Sequence, residues 1–229
     1  MDPRRVVVFI DARNVYHRAR GAFFTEVAHG TCGNVHPVKL AELLVSRPPP
    51  GSPKDRRLEE VRVYTGRPSA VQDPDSHAAH MRQCVAWERE GADVIYRPLR
   101  YRPGAPPREK GIDVQLAIDF VAYASDDRLD VGVIVSADSD LAPAVEFVKD
   151  RPQLGKTVEV AAWFCPPHAK AKIPGAYCHL LDWFAFSGVR DRRDYTTGRL
   201  HYDDPTELQA EVLRVDPPAP PAPPAAHRR

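Results

Sequence analysis

Five short apolar runs punctuate the chain, at 6–10, 61–65, 94–99, 131–135 and 158–163. Each is nearly continuous rather than alternating, which is the pattern of strands covered on both faces. Between them, at 15–28, 75–90, 112–124 and 141–150, apolar positions recur at helical spacing. The resulting β-α-β-α-β-α-β-α-β order predicts an α/β fold, a mainly parallel sheet with helices on both faces. A last apolar patch, LLDWFAF at 180–186, predicts one more strand or a cover across an edge. Two stretches break the regularity. SRPPPGSPKD at 46–55 reads as a proline-rich surface loop, and periodicity is lost after about residue 188, ending in DPPAPPAPPAAHRR. The expected organisation is one domain over 1–187 and a Pro/Ala-rich, largely disordered tail over 188–229.

In parallel α/β sheets the loops leaving the carboxyl ends of the strands build the active site. Two expected strands end in acids there: VVVFID delivers Asp11, and VIVSADSD delivers Asp138, with Asp140 just behind and Ser136 beside it. A third acid is expected from the helix opening at the same rim, EKGIDVQLAIDFVAYAS. At about 100° per residue, Asp113 shares a stripe with Leu116, Ala117, Phe120 and Ala124, whereas Asp119 falls on the polar side. Capping accounts for some of these residues, with Asp138 or Ser139 heading the helix near Leu141 and Asn14 heading the first helix. Capping does not explain an inward-facing Asp113. Two carboxylates about 4 Å apart repel by roughly 4 kcal/mol at an effective dielectric of 20. A cation among them removes that repulsion, and oxygen-only ligands select Mg²⁺ or Mn²⁺.

Composition narrows the surroundings. With 229 residues, 43% of them hydrophobic, the chain has material for a full core, and its formal charge of +1 declares no bulk field for a polyanion. The first apolar run ends at Asp11, short of the roughly 7–15 residues of an export signal. No stretch approaches the roughly 18 apolar residues of a membrane span. Four scattered cysteines, Cys32, Cys84, Cys165 and Cys178, suit a reducing compartment. The expectation is therefore a cytoplasmic protein with no membrane engagement, its oligomeric state, a homo-oligomer included, left open.

FIDARN at the first strand end, KGIDVQLAIDF opening a helix and IVSADSDLAPAVEFV at a later strand end together resemble the three motifs of NYN domains, in the PIN-like ribonuclease superfamily. The resemblance covers roughly residues 5 to 186. It implies a three-layer PIN-like fold with sheet order 3-2-1-4-5, and metal-dependent hydrolysis of RNA phosphodiesters, endonucleolytic in type, at an acidic pocket holding Mg²⁺ or Mn²⁺. Asp11, Asp113 and Asp138 match the family's metal-binding acids, Asp140 a fourth acid of the pocket, and Asn14 the polar residue that holds the first loop; Ser136 is a supporting hydroxyl. Asp119 also matches a recurring family acid, against the helix-face reading. Ala137 stands where Gly or Asn is more usual.

An RNA substrate needs positive charge around the acids. The loop RPLRYRPGAPPREK joins the third strand to the Asp113 helix, so Arg97, Arg100, Arg102, Arg108 and Lys110 are expected to grip backbone while Tyr101 stacks on a base. Arg13 and Arg18, beside Asp11, are secondary candidates. The alternative from another class is a non-cleaving RNA-binding or regulatory module that keeps the acidic pocket. A phosphatase with a DxD pair is disfavoured because the first strand continues as DAR. CPPH and YCH invite zinc on Cys165, His168, Cys178 and His179, but buried thiols with surface imidazoles account for them better. Gly66 and Gly155 lack the spacing of a phosphate-cradling loop.

Overall fold

The computed structural model describes residues 2–164, 173, 175–202, 204–209 and 212. Six strands form one parallel sheet: β1 (Arg4–Asp11), β2 (Arg56–Arg67), β3 (Ala92–Pro98), β6 (Val131–Val135), β7 (Thr157–Trp163) and β8 (Tyr177–Leu181). Their spatial order is β3-β2-β1-β6-β7-β8. The five expected strands thus stand in the order 3-2-1-4-5, and β8, from the last apolar patch, extends the sheet past β7. Two further strands, β4 (Arg100–Arg102) and β5 (Ala105–Arg108), form a separate antiparallel hairpin.

Because successive side chains of a strand point to opposite faces, β1 feeds two cores at once. Val6, Val8 and Ile10 pack against α1 (Ala12–Phe23), α2 (Pro37–Ser46), α3 (Pro74–Arg89) and α6 (Trp183–Val189). Val7 and Phe9 pack against α4 (Ile112–Ser125) and α5 (Ala142–Lys149). Phe9 meets Phe120 and Tyr123 edge-on at 5.3 and 5.5 Å between ring centroids. Each such fully buried side chain contributes about 1.5–3 kcal/mol, so α4, which carries Asp113, is held firmly against β1. Leu116, Phe120 and Ala124 are buried, which sets the helix face as its apolar stripe requires.

The end of the domain lies beyond the expected boundary at 187. Val189, Arg190 and Asp191 are buried, Val35 bridges to Arg190, and Phe24 bridges to Leu208. Gln209 donates through Nε2 to the carbonyls of Gly21 and Phe24, at 2.8 and 3.0 Å, and Val212 is buried in the core. This segment has no period because it packs residue by residue, as a strap and not as an element. Deletion of 204–229 is therefore expected to lower stability by about 3 kcal/mol, from the burial of Leu208 and Val212. Denaturant melts of the full and shortened chains measure it; equal midpoints would detach the strap from the fold.

Candidate functional site

The carboxyl ends of β1, β2 and β6 and the start of α4 meet at one rim. Asp11 ends β1 and caps α1, its Oδ1 accepting the Asn14 N–H at 3.0 Å. Its Oδ2 accepts the Ser136 hydroxyl at 3.1 Å. The expectation that Asn14 caps the first helix gives way here: Asp11 is the cap, and Asn14 Oδ1 instead accepts the Ala137 N–H at 3.0 Å, clamping the loop after β1 to the loop after β6. Ser136 Oγ accepts the Asp138 N–H at 3.1 Å, and Asp138 accepts the Asp140 N–H at 3.0 Å, capping the short 3-10 turn Ser139–Leu141. Asp138 is thus the expected cap while also standing at the rim. Asp140 is exposed.

Burial, reinforced by the charges of Asp138 and Asp113, pushes the Asp11 carboxyl above its ordinary range, despite the bonds from Asn14 and Ser136. Asp113 lies in the first turn of α4, after Gly111, whose φ of 76° suits a residue without a Cβ. Among the described residues nothing donates to the Asp113 carboxylate, and no Lys or Arg forms an ion pair with Asp11, Asp113 or Asp138.

The rim holds a further acid, Glu109, beyond those expected from the sequence. Glu109 Oε1 accepts the Gly66 N–H at 2.6 Å, and its carboxyl is raised by burial and then, against the Gly66 bond, by Asp11 and Asp113. A Cβ on Gly66 would come 2.6 Å from Glu109 Cγ and 2.4 Å from Leu99 Cδ2. That glycine exists here for close approach, not for phosphate. Glu109 sits four residues before Asp113 in REKGID, and only the β4–β5 hairpin, folding back, brings it over the end of β2.

Asp119 lies on the polar side of α4, as expected, but is half-buried there and bonded. Its carboxylate accepts Tyr64 Oη–H at 2.9 Å, Arg62 Nη2 at 3.3 Å and Gln115 Nε2 at 2.8 Å, with 18% of the side chain exposed. It is spoken for on the flank of α4. Its place there is structural, joining the helix to β2.

The basic residues sit as a hairpin. Arg100 and Arg108 are cross-strand partners, and with Arg102, Arg97 and Lys110 they are exposed. Arg97 donates to Gln115 Oε1 at 2.8 Å. Tyr101 does not present a free ring: it is half-buried, and its hydroxyl accepts the Ser69 N–H at 3.0 Å, fastening the hairpin to the loop after β2. Arg13 lies close enough to lower Glu109, and Arg18 lines a cleft of about 300 Å³ with Asn14, Ser136, Ala137 and Trp163.

Hard, oxygen-only donors of this kind suit Mg²⁺ or Mn²⁺. Among the described residues, the oxygens of the rim acids are not gathered within 4.8 Å of one another. For zinc on CPPH and YCH, Cys165 and His168 lie outside the described residues. His179 is buried, contrary to the surface imidazole expected, with Nε2 2.9 Å from Glu159 Oε2. Cys32 and Cys84 form no disulfide.

The NYN domain model matches residues 5–184. The chain belongs to the NYN domain family. That family places it in the PIN-like nuclease superfamily, in agreement with the sheet order and the acids at its carboxyl rim. The crystal structure of a protein of unknown function from Vibrio parahaemolyticus is similar, at TM-score 0.52 and 20% identity over 79% of this chain and 93% of that one. This likeness supports the fold alone. No curated protein matches the chain. Among the described residues of this NYN domain no helix is long and apolar enough to cross a membrane.

One consequence concerns pH. With chelator present, Asp11 holds its proton more tightly folded than unfolded, so its contribution to stability is greatest at low pH and is lost as pH rises through its elevated folded value. Asp11→Asn keeps the cap, since Asn caps as well as Asp, and removes this slope. The difference in unfolding free energy between wild type and variant is expected to move in the variant's favour from pH 4 to pH 7, measured by urea melts at each pH. A constant difference would mean that Asp11 ionises freely.

Proposed function

We propose that this NYN domain is a metal-dependent endoribonuclease, hydrolysing RNA phosphodiester bonds at the rim formed by Asp11, Asp113 and Asp138. The observation that carries the proposal is the convergence of carboxylates: burial, and after it the charges of Asp138 and Asp113, raises Asp11, and among the described residues no Lys or Arg is ion-paired with these three acids. Structural caps alone do not need that concentration of charge. Asp11, Asp113 and Asp138 would hold Mg²⁺ or Mn²⁺, with Glu109 beside them. When bound, the ion activates a water and offsets charge on the phosphate.

The chain's own groups do the positioning. Asn14 and Ser136 fix the two strand-end loops against each other, so that Asp11 and Asp138 keep their relation as substrate arrives. Asp140, exposed next to Asp138, assists as a proton acceptor. Arg100, Arg102 and Arg108 on the hairpin, with Arg97 and Lys110, contact the RNA backbone, and Tyr101 holds the hairpin in place. The test of activity is cleavage of single-stranded RNA by the purified chain in Mn²⁺ against chelator; no metal-dependent product would reject it.

Replacing Arg100 and Arg102 together by Ala is expected to weaken RNA binding and to flatten its dependence on log salt by about 0.7 for each phosphate no longer neutralised. Fluorescence anisotropy at several salt concentrations reads the slope. An unchanged slope would return the hairpin to ordinary surface.

A further inference from the structure

Apart from the carboxylates of the rim, three side chains from two distant stretches converge where the strap crosses the loop after α1. Cys32 is fully buried in that loop; His201 and Glu207 come from the strap, with 23% and 13% of their side chains exposed. Cys32 Sγ lies 3.7 Å from Glu207 Oε2, and His201 Nε2 lies 2.9 Å from the same oxygen. One ligand atom from each of the three falls within 4.8 Å of the other two.

These spacings are close to the edges of a tetrahedron around zinc. Bonds of about 2.3 Å to sulfur and about 2.0 Å to nitrogen and oxygen give edges of about 3.5 Å for S···O and about 3.3 Å for N···O. The surroundings suit a bound thiolate and carboxylate. Arg190 Nη2 donates to Cys32 Sγ at 3.3 Å, Glu207 Oε1 is held by the His29 N–H at 2.7 Å, and Oε2, which faces Cys32 and His201, also accepts the Asp204 N–H at a long 3.5 Å. Supporting donors of this kind orient ligands. The His29 ring stacks on His201 at 4.4 Å, nearly parallel, fixing the plane of the imidazole while remaining outside the ligand set.

We propose that Cys32, His201 and Glu207 form a zinc site that fastens the strap to the loop after α1, with a water in the fourth position. On binding, the Cys32 S–H bond breaks and a Zn–S bond forms, the proton passing to solvent. Neutral His201 gives its Nε2 lone pair, and the Glu207 carboxylate binds through Oε2. No oxidation state changes. The site is chemically unlike the carboxylate rim, since sulfur and imidazole select zinc over Mg²⁺ or Mn²⁺.

The test uses the full reduced chain, stripped of metal and titrated with Co²⁺. One equivalent is expected to give the visible bands of tetrahedral cobalt and a thiolate-to-cobalt charge-transfer band in the near ultraviolet, both bleached by one equivalent of Zn²⁺. Cys32→Ser should abolish the charge-transfer band, and Cys178→Ser should keep it. His201→Gln and Glu207→Gln should each weaken Zn²⁺ by more than the roughly 10–100-fold that loss of a supporting group costs. Should Cys32→Ser lose its cooperative transition in chelator, the partly exposed His201 carries the same reading through affinity alone. Absence of the bands in wild type, their persistence in Cys32→Ser, or unaltered affinity in His201→Gln would each overturn the site.

Discussion

Asp113→Asn is expected to lower single-turnover RNA cleavage in Mn²⁺ by about a thousandfold or more, roughly 4 kcal/mol of barrier, without loss of stability in chelator. The carboxylate accepts nothing from the described protein groups and faces Asp11, whose protonation it promotes. Removing its charge thus relieves repulsion in the metal-free state while deleting a ligand for the ion. Asp119→Asn should behave in the opposite sense. Its bonds to Tyr64, Arg62 and Gln115 join α4 to β2, so the variant should lose about 1–2 kcal/mol of stability and change cleavage less than about tenfold. Melts in chelator beside single-turnover rates separate the two. Severe loss of cleavage for Asp119 with stability intact would place that acid in the reaction and contradict the assignment.

The largest expected effect on stability lies elsewhere in the sheet. Glu159 on β7 has a side chain with no exposure, paired with Arg56 of β2, 2% exposed, and with His179 of β8. Glu159→Leu is expected to cost about 3–5 kcal/mol, because it leaves Arg56 buried and unpaired. At this chain length that corresponds to a fall in melting temperature of roughly 10 °C. The double variant Arg56→Met/Glu159→Leu should recover at least half of the loss, since a buried pair exchanged for apolar side chains is often neutral. A double variant as unstable as the single one would show that the pair itself supports the sheet.

What was legible in the sequence follows from this architecture. β1, β6 and β7 are buried on both faces and so are written as apolar runs, with acids appearing where β1 and β6 leave the core. The place of Asp113 in the first turn of α4 was legible because Leu116, Phe120 and Ala124 mark the buried face of that helix. Glu109 was not, since its place depends on the β4–β5 hairpin, whose APPR and RYR strands are poor in β-formers, and on the bare backbone of Gly66. The helix α2 is not among the expected elements, although Pro37 opens it and Leu40, Ala41 and Leu44 are its buried face; at ten residues it offers few turns for a period to show. The bonds of Asp119 were not legible, because periodicity reports which side of a helix is apolar and not which polar-side acid is held by a neighbouring strand. The strap beyond 188 carries its contacts on single residues, Val189, Leu208 and Val212, which leaves no pattern to read.

Metal-dependent hydrolysis at the converging acids of this NYN domain is read by end-group analysis of single-turnover products from labelled single-stranded RNA. Wild type and Asp138→Asn are compared in Mn²⁺ and in chelator. Wild type is expected to cleave internally in Mn²⁺ alone, without 2′,3′-cyclic phosphate ends because water and not the 2′-hydroxyl attacks, and Asp138→Asn is expected to give nothing above background. Cleavage that persists in chelator, or that is equal in Asp138→Asn, would contradict it.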